Sequence, residues 1–287
     1  MNPLIVLCAD DQMIRVSKLN REGVVMQTTR IPAVAGMFYP ASAAELHSQV
    51  QTFLNQAPAP VEPPPKAIIA PHAGYIYSGP IAAFAYARLK AARDLITRVV
   101  LLGPSHRVGF RGVAVSGMVA FATPLGRIPV DQEAVEQVRQ LPDVGFLEQA
   151  HAQEHSLEVH LPFLQEVLGE FKLVPLVVGE ARPQQVGLVL ETLWGGPETL
   201  IVISSDLSHY HDYQTARSMD GETSRAIEAL RFEDIGYEQA CGRNPVNGLL
   251  WVARRKGLHC DTIDLRNSGD TAGPRDQVVG YGAYVFH

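Results

Sequence analysis

Cysteine is scarce in this chain: Cys8, Cys241 and Cys260 are the three among 287 residues. An odd number so widely spread excludes a disulfide framework and a Cys-x-x-Cys zinc pair, and it fits reduced thiols in a cytoplasm. Long apolar runs are also missing. Without a stretch of about 18 uninterrupted apolar residues, no membrane span is expected. The apolar run 3–9 is short, has no basic residue before it and meets Asp10 and Asp11 at once, which argues against a secretory signal peptide. No Lys/Arg run stands out against a net charge of −6, so no nucleic-acid partner is expected. Neither a Gly-x-Gly-x-x-Gly loop after a strand nor a Walker lysine motif occurs, which argues against a nucleotide cofactor.

What is present is ordinary core material, with 46% hydrophobic residues. Residues 1–29 are poorly patterned and contain a further methionine, Met26, just ahead of the patterned region. They are expected to form an extension, or to reflect a misassigned start, ahead of a single α/β domain over 30–287. The proline-rich stretch 57–65 reads as a stiff surface loop leading into the first central strand. Strand signals then fall at 66–70, 98–102, 112–116, 172–178, 199–204 and 278–285. Helix signals fall at 81–92, opened by Pro80, at 131–140 behind an Asp131 cap, and at 156–168 behind a Ser156 cap. Three more lie at 184–193, 213–230 and 246–255. Apolar runs without alternation imply strands buried on both faces, hence a mostly parallel or mixed sheet flanked by helices. The strands 112–116 and 278–285 are candidates for antiparallel pairing.

Polar clusters sit directly behind three of those strands. His72 follows 67–70, His106 follows 99–103, and Asp206 and His209 follow 200–205. In an open parallel sheet ligands bind outside the carboxyl ends of the strands, so three strands aim imidazoles and a carboxylate at one place. Two imidazoles at equivalent strand ends suit a metal. Pro71 and Gly74 hold His72 in a tight turn that also carries Tyr75 and Tyr77. On a helical turn Asp206 and His209 would point the same way, as ligands, as an orienter with its imidazole, or as an acid–base pair. The alternative for Asp206 is a simple cap of the following turn. Glu154, His155, Glu158 and His160 crowd seven residues, but the five-residue step from His155 to His160 excludes a His-Glu-x-x-His metalloprotease helix. Support for the first two imidazoles, or a solvated helix start, are the readings left for them. Cys241 precedes Gly242 in a structured turn before a helix; it is either a small buried hydrophobe or a ligand.

With these segments in view the chain resembles the Memo family, in its branch labelled AmmeMemoRadiSam system protein B. The matching segments are 71–79, 103–106, 154–163, 204–209 and 241–245, together with the opening 31–40. The resemblance implies a fold like that of the class III extradiol dioxygenases, which hold non-haem Fe(II) with two His and a carboxylate. It implies metal ligands at His72, His106 and Cys241, with Asp206 and His209 as catalytic groups at the rim. Glu154, His155, His160, Tyr75 and Tyr77 would surround them. A thiolate in place of the carboxylate suits Fe(II) or Cu, with Zn as a further option. The implied function is a redox enzyme on a small substrate. The alternative is a non-catalytic protein that handles metal or binds a peptide or partner through the relict pocket. Radical-SAM and AMMECR1-domain proteins are the implied associates.

Overall fold

The computed structural model describes residues 29–58 and 63–287, together with the two-residue strands β1 (Lys18–Leu19) and β2 (Val25–Met26), which pair antiparallel. The expected extension over 1–29, Cys8 and the middle of the proline-rich loop lie largely or wholly outside these residues.

The strands that carry the site are β4 (Ala67–Ala70), β5 (Arg98–Pro104), β10 (Lys172–Val178) and β11 (Thr199–Ser204). They lie side by side in the order β4-β11-β5-β10, all parallel, at the centre of a nine-stranded sheet. Almost every residue in them is buried, as unalternated Val, Ile and Leu require of strands covered on both faces. Beyond β10 the sheet continues through β6 (Val113–Val115), antiparallel, and β9 (Val144–Phe146). Beyond β4 it continues through β14 (Val278–Phe286), antiparallel, which also pairs β12 (His209–His211) and β13 (Cys260–Asn267). A small second sheet joins β3 (Thr29–Arg30) to the hairpin β7 (Ala120–Thr123) and β8 (Gly126–Pro129).

The helices cover the sheet, and several differ from the sequence expectation. α1 (Ala43–Gln56), capped by Ser42, has no counterpart in that expectation; it buries Leu46, Val50 and Leu54, each contributing about 1.5–3 kcal/mol. α2 (Tyr75–Ala87) starts at Gly74, so Pro80 lies inside it and not at its opening. Pro80 has no N–H for the carbonyl of Ile76, and Ile76 is exposed, so water can serve that carbonyl. α3 (Gln132–Arg139) carries the expected Asp131 cap, whose side chain accepts from the Ala134 amide. After α4 (Glu148–Ala152), the expected helix 156–168 is a short 3-10 turn followed by α5 (Leu161–Val167), with Pro162 in the first turn where its missing N–H costs nothing. Ser156 is not a cap: its hydroxyl donates to the Pro104 carbonyl. α6 (Pro183–Thr192), α7 (Tyr213–Glu228) and α8 (Arg243–Lys256) complete the layers. Among the described residues no helix is long and apolar enough to cross a membrane.

Candidate metal centre

The carboxyl ends of β4, β5 and β11 bring His72, His106 and the segment after Ser204 together, and the turn 153–160 closes over them. Ligand atoms of His72, His106 and His155 lie within 4.8 Å of one another. The His72 and His106 rings meet edge to face at 5.1 Å, whereas His155 lies nearly parallel to His106 at 4.5 Å. Cys241 approaches from the turn before α8, with Sγ 3.3 Å from His72 Nε2. Two ligands bonded at ~2.0 and ~2.3 Å to one tetrahedral ion stand about 3.5 Å apart, close to this contact, but Cys241 is not in the group whose ligand atoms all lie within 4.8 Å of one another, where His155 stands instead.

Hydrogen bonds fix the tautomers. Ser204 Oγ donates to the Ser156 carbonyl at 2.6 Å, so its contact of 2.6 Å with His72 Nδ1 must be one it accepts. That leaves the lone pair of His72 on Nε2. His106 Nδ1 donates to Glu154 Oε1 at 2.9 Å, while Glu154 Oε2 accepts the His106 amide at 2.6 Å. His209 Nδ1 donates to the Leu207 carbonyl at 2.8 Å. In all three rings Nε2 is the bare nitrogen, the arrangement that metal-binding imidazoles use. His155 Nδ1 is buried without a hydrogen-bond partner, 3.4 Å from Glu154 Oε1.

The electrostatics follow from burial. His72 is 2% exposed; desolvation, helped by the neighbouring imidazoles, holds it well below the ordinary histidine range and therefore neutral. Burial, then His106, lowers His155 to about 4. Burial works to raise the Glu154 carboxyl, but the bonds and charge of His106 and the Ser156 amide outweigh it and bring it to about 2. Burial raises Asp206, partly offset by the bond of 2.7 Å from the His72 amide to Oδ1 and by His209. Burial and the Asp206 charge push the Cys241 thiol up. Three imidazoles, His72, His106 and His155, could hold a metal ion, and the Cys241 thiol stands against one of them; nitrogen and sulfur donors of this kind suit a borderline transition metal.

Two glycines make the approach possible. A Cβ on Gly242 would stand 2.5 Å from the Ser204 carbonyl oxygen, so only glycine lets the Cys241 turn close on β11. A Cβ on Gly103 would stand 2.7 Å from Ser156 Oγ. Asp206 and His209 are not on a helical turn. Asp206 lies in a loop, its amide donating to Cys241 Sγ at 3.3 Å, and His209 opens β12. Asp206 Oδ2 is 4.0 Å from His72 Nε2. Tyr77 is half-buried, but Tyr75 points inward, its hydroxyl donating to the Val159 carbonyl. His160 also faces the interior, with Nδ1 2.7 Å from the Tyr86 hydroxyl. Sequence reasoning missed Arg30 and placed no partner for Glu158; the two form a buried ion pair at 2.6 Å. A partner 128 residues away leaves no local spacing signal.

The model of the Memo-like protein family matches residues 30–285. A MEMO1 family protein of Aquifex aeolicus is 37% identical over 271 residues, which is 90% of this chain and 98% of the relative. One from Ignicoccus hospitalis is 36% identical over 280 residues, with 90% and 98% covered. One from Sulfolobus acidocaldarius is 34% identical over 276 residues, with 88% and 97% covered. With a family model spanning nearly all of the described chain and relatives matched almost end to end, the chain belongs to the Memo-like protein family.

Proposed function

We propose that this is a metal-dependent redox protein, its ion held by His72, His106 and Cys241, with a small molecule as substrate. The observation that carries the reading is the pair of Nε2 lone pairs fixed by Ser204 and Glu154 beside a thiol 3.3 Å from one of them. His155, stacked on His106, is the nearest alternative nitrogen donor. Iron or copper would supply a one-electron redox change, and zinc Lewis-acid polarisation only. The chain supplies the rest. Glu154 and Ser204 orient the two imidazoles, and burial of His72 keeps water off that face. Asp206, its carboxyl raised by burial to about 6, takes up a proton beside the centre only as pH falls below neutrality, and His209 Nε2 is free to accept one. Reduced surroundings, as in a cytoplasm, keep Cys241 a thiol.

The test is metal content after expression in iron-, copper- and zinc-supplemented media. The wild type should retain a single ion per chain, and His72→Ala should lose it while keeping its circular dichroism spectrum. Cys241→Ser should bind more weakly and shift preference away from copper. Equal metal content in wild type and His72→Ala would sink the reading. Tight metal retention with no oxygen or peroxide turnover would leave a metal-handling protein in its place.

A further inference from the structure

Glu158 is fully buried, and four donors from one short segment converge on its carboxylate. Oε2 accepts Arg30 Nη1 at 2.6 Å and the Ala33 amide at 2.8 Å; Oε1 accepts the Val34 amide at 2.9 Å and the Tyr39 hydroxyl at 2.6 Å. Only a carboxylate offers acceptors alone on both oxygens, so glutamine would set an NH2 group against two of these donors. Arg30, 5% exposed, spends its other nitrogens on the turn that covers the site: Nε donates to the His151 carbonyl at 2.7 Å and Nη2 to the Glu154 carbonyl at 2.7 Å. Both partners thus join the segment 30–39 to the turn 151–160, and each junction ends on an imidazole. Glu154, pinned at its carbonyl by Arg30, holds His106 through both carboxylate oxygens. Phe38, carried by the segment that Glu158 anchors, packs its ring 4.7 Å from His155. The same residue's carbonyl accepts the Tyr75 amide at 2.8 Å, at the start of the helix that follows His72.

We propose that the Arg30–Glu158 ion pair is a positioning device for the imidazole cluster, acting through Glu154 on His106 and through Phe38 on His155. It rests on the metal-centre reading for its consequence, but the geometry it sets is readable without metal. Neither residue touches the ion; both determine where the rings stand. A partner bonded directly to a metal-binding imidazole, as Glu154 is, costs about 10–100-fold in affinity when changed; Arg30 and Glu158 stand one residue further out, so about 10-fold is the effect to expect.

The experiment uses cobalt(II) affinity and visible spectrum, with the imidazole N–H proton resonance of His106 in the metal-free protein. Glu158→Gln should weaken cobalt binding by up to about 10-fold, the low end for partners of metal-binding imidazoles, alter the spectrum and move that resonance. Arg30→Lys should act in the same direction and less strongly, because an ammonium cannot reach three acceptors in the fork geometry. Asp131→Asn is the control. It breaks another carboxylate bond to arginine, Arg98 to Asp131 at 2.8 Å at the far end of β5, so it should lower stability and leave both readouts as in wild type. If Glu158→Gln does not fold, Arg30→Lys carries the test. Wild-type affinity and resonance in both variants would overturn the proposal, as would an equal change in Asp131→Asn. A wild type that binds no cobalt would overturn the metal reading alone, and the His106 resonance would then decide the positioning claim.

Discussion

The two ends of the same central strands behave in opposite ways. At the carboxyl ends of β4, β5 and β11 the polar groups are held on one side and left bare on the other. His72 and His106 are each tied at Nδ1 and carry the lone pair on Nε2, that of His72 facing the Cys241 thiol. At the amino ends the polar groups consume one another. Lys66 Nζ donates to the carbonyls of Trp194, Gly196 and Thr199 at 2.5, 2.8 and 2.6 Å, using all three of its protons. A cavity of about 300 Å³ opens there, lined by residues such as Pro65, Leu95 and Trp194. Space is thus at one end and unspent chemistry at the other. A cavity whose lining lysine is fully engaged has little left to offer a ligand, whereas imidazole lone pairs with no proton of their own do.

Substitution at each end should separate the two characters. His72→Ala is expected to lower metal affinity by more than about 100-fold, the scale lost with a first ligand rather than an outer one, with little change in melting temperature. Lys66→Met should do the reverse, costing about 2 kcal/mol because three carbonyls lose their donor, with metal affinity unchanged. Calorimetry and metal titration on both variants check this. If Lys66→Met also empties the metal centre, the ends are coupled and the contrast fails.

Acid should sharpen the contrast next. Burial lowers His72, His151, His155 and His160, to about 4 for His151 and His155 and about 3 for His160. The unfolded imidazoles titrate near ~6.5, so between there and about pH 4 the unfolded chain binds more protons. Stability is therefore fullest above about pH 6.5 and is lost as pH falls from there to about 4, by up to about 1.4 kcal/mol per pH unit for each histidine. Asp206 works the other way, since its raised carboxyl takes up a proton in the folded state first. Urea midpoints at several pH values should fall steeply below neutrality; a flat profile would mean these rings titrate normally.

The smallest effect belongs to the bulge that carries His209. Tyr210 sits at φ +61° where β12 shifts register on β14. A left-handed conformation costs a bulky residue about 1–3 kcal/mol, so Tyr210→Gly should gain up to about 1 kcal/mol after the entropy of glycine is charged against it. Loss of stability in that variant would show that the exposed Tyr210 ring makes contacts worth more than the strain.

Much of the sheet was legible because Val99–Leu102 or Leu200–Ile203 can be little else than doubly buried strands. The strand-end positions of His72, His106 and Asp206 followed directly from that. β13 was not legible, since Cys260–Asn267 mixes buried, half-buried and exposed residues without a two-residue period. Nor was the start of α2, because Pro80 mimics an opening residue while the helix tolerates it one turn in. The stacking of His155 on His106 depends on a turn bonded to Arg30, and no local pattern records a contact across more than 120 residues.

The central claim is that the bare nitrogens of His72 and His106, with Cys241, hold one ion. Anomalous diffraction from crystals of copper- or zinc-loaded protein addresses it most directly. The account predicts one strong peak within about 2.0–2.3 Å of His72 Nε2, His106 Nε2 and Cys241 Sγ. A peak bound elsewhere, or one that leaves both His72 and His106 without a bond to it, would contradict it.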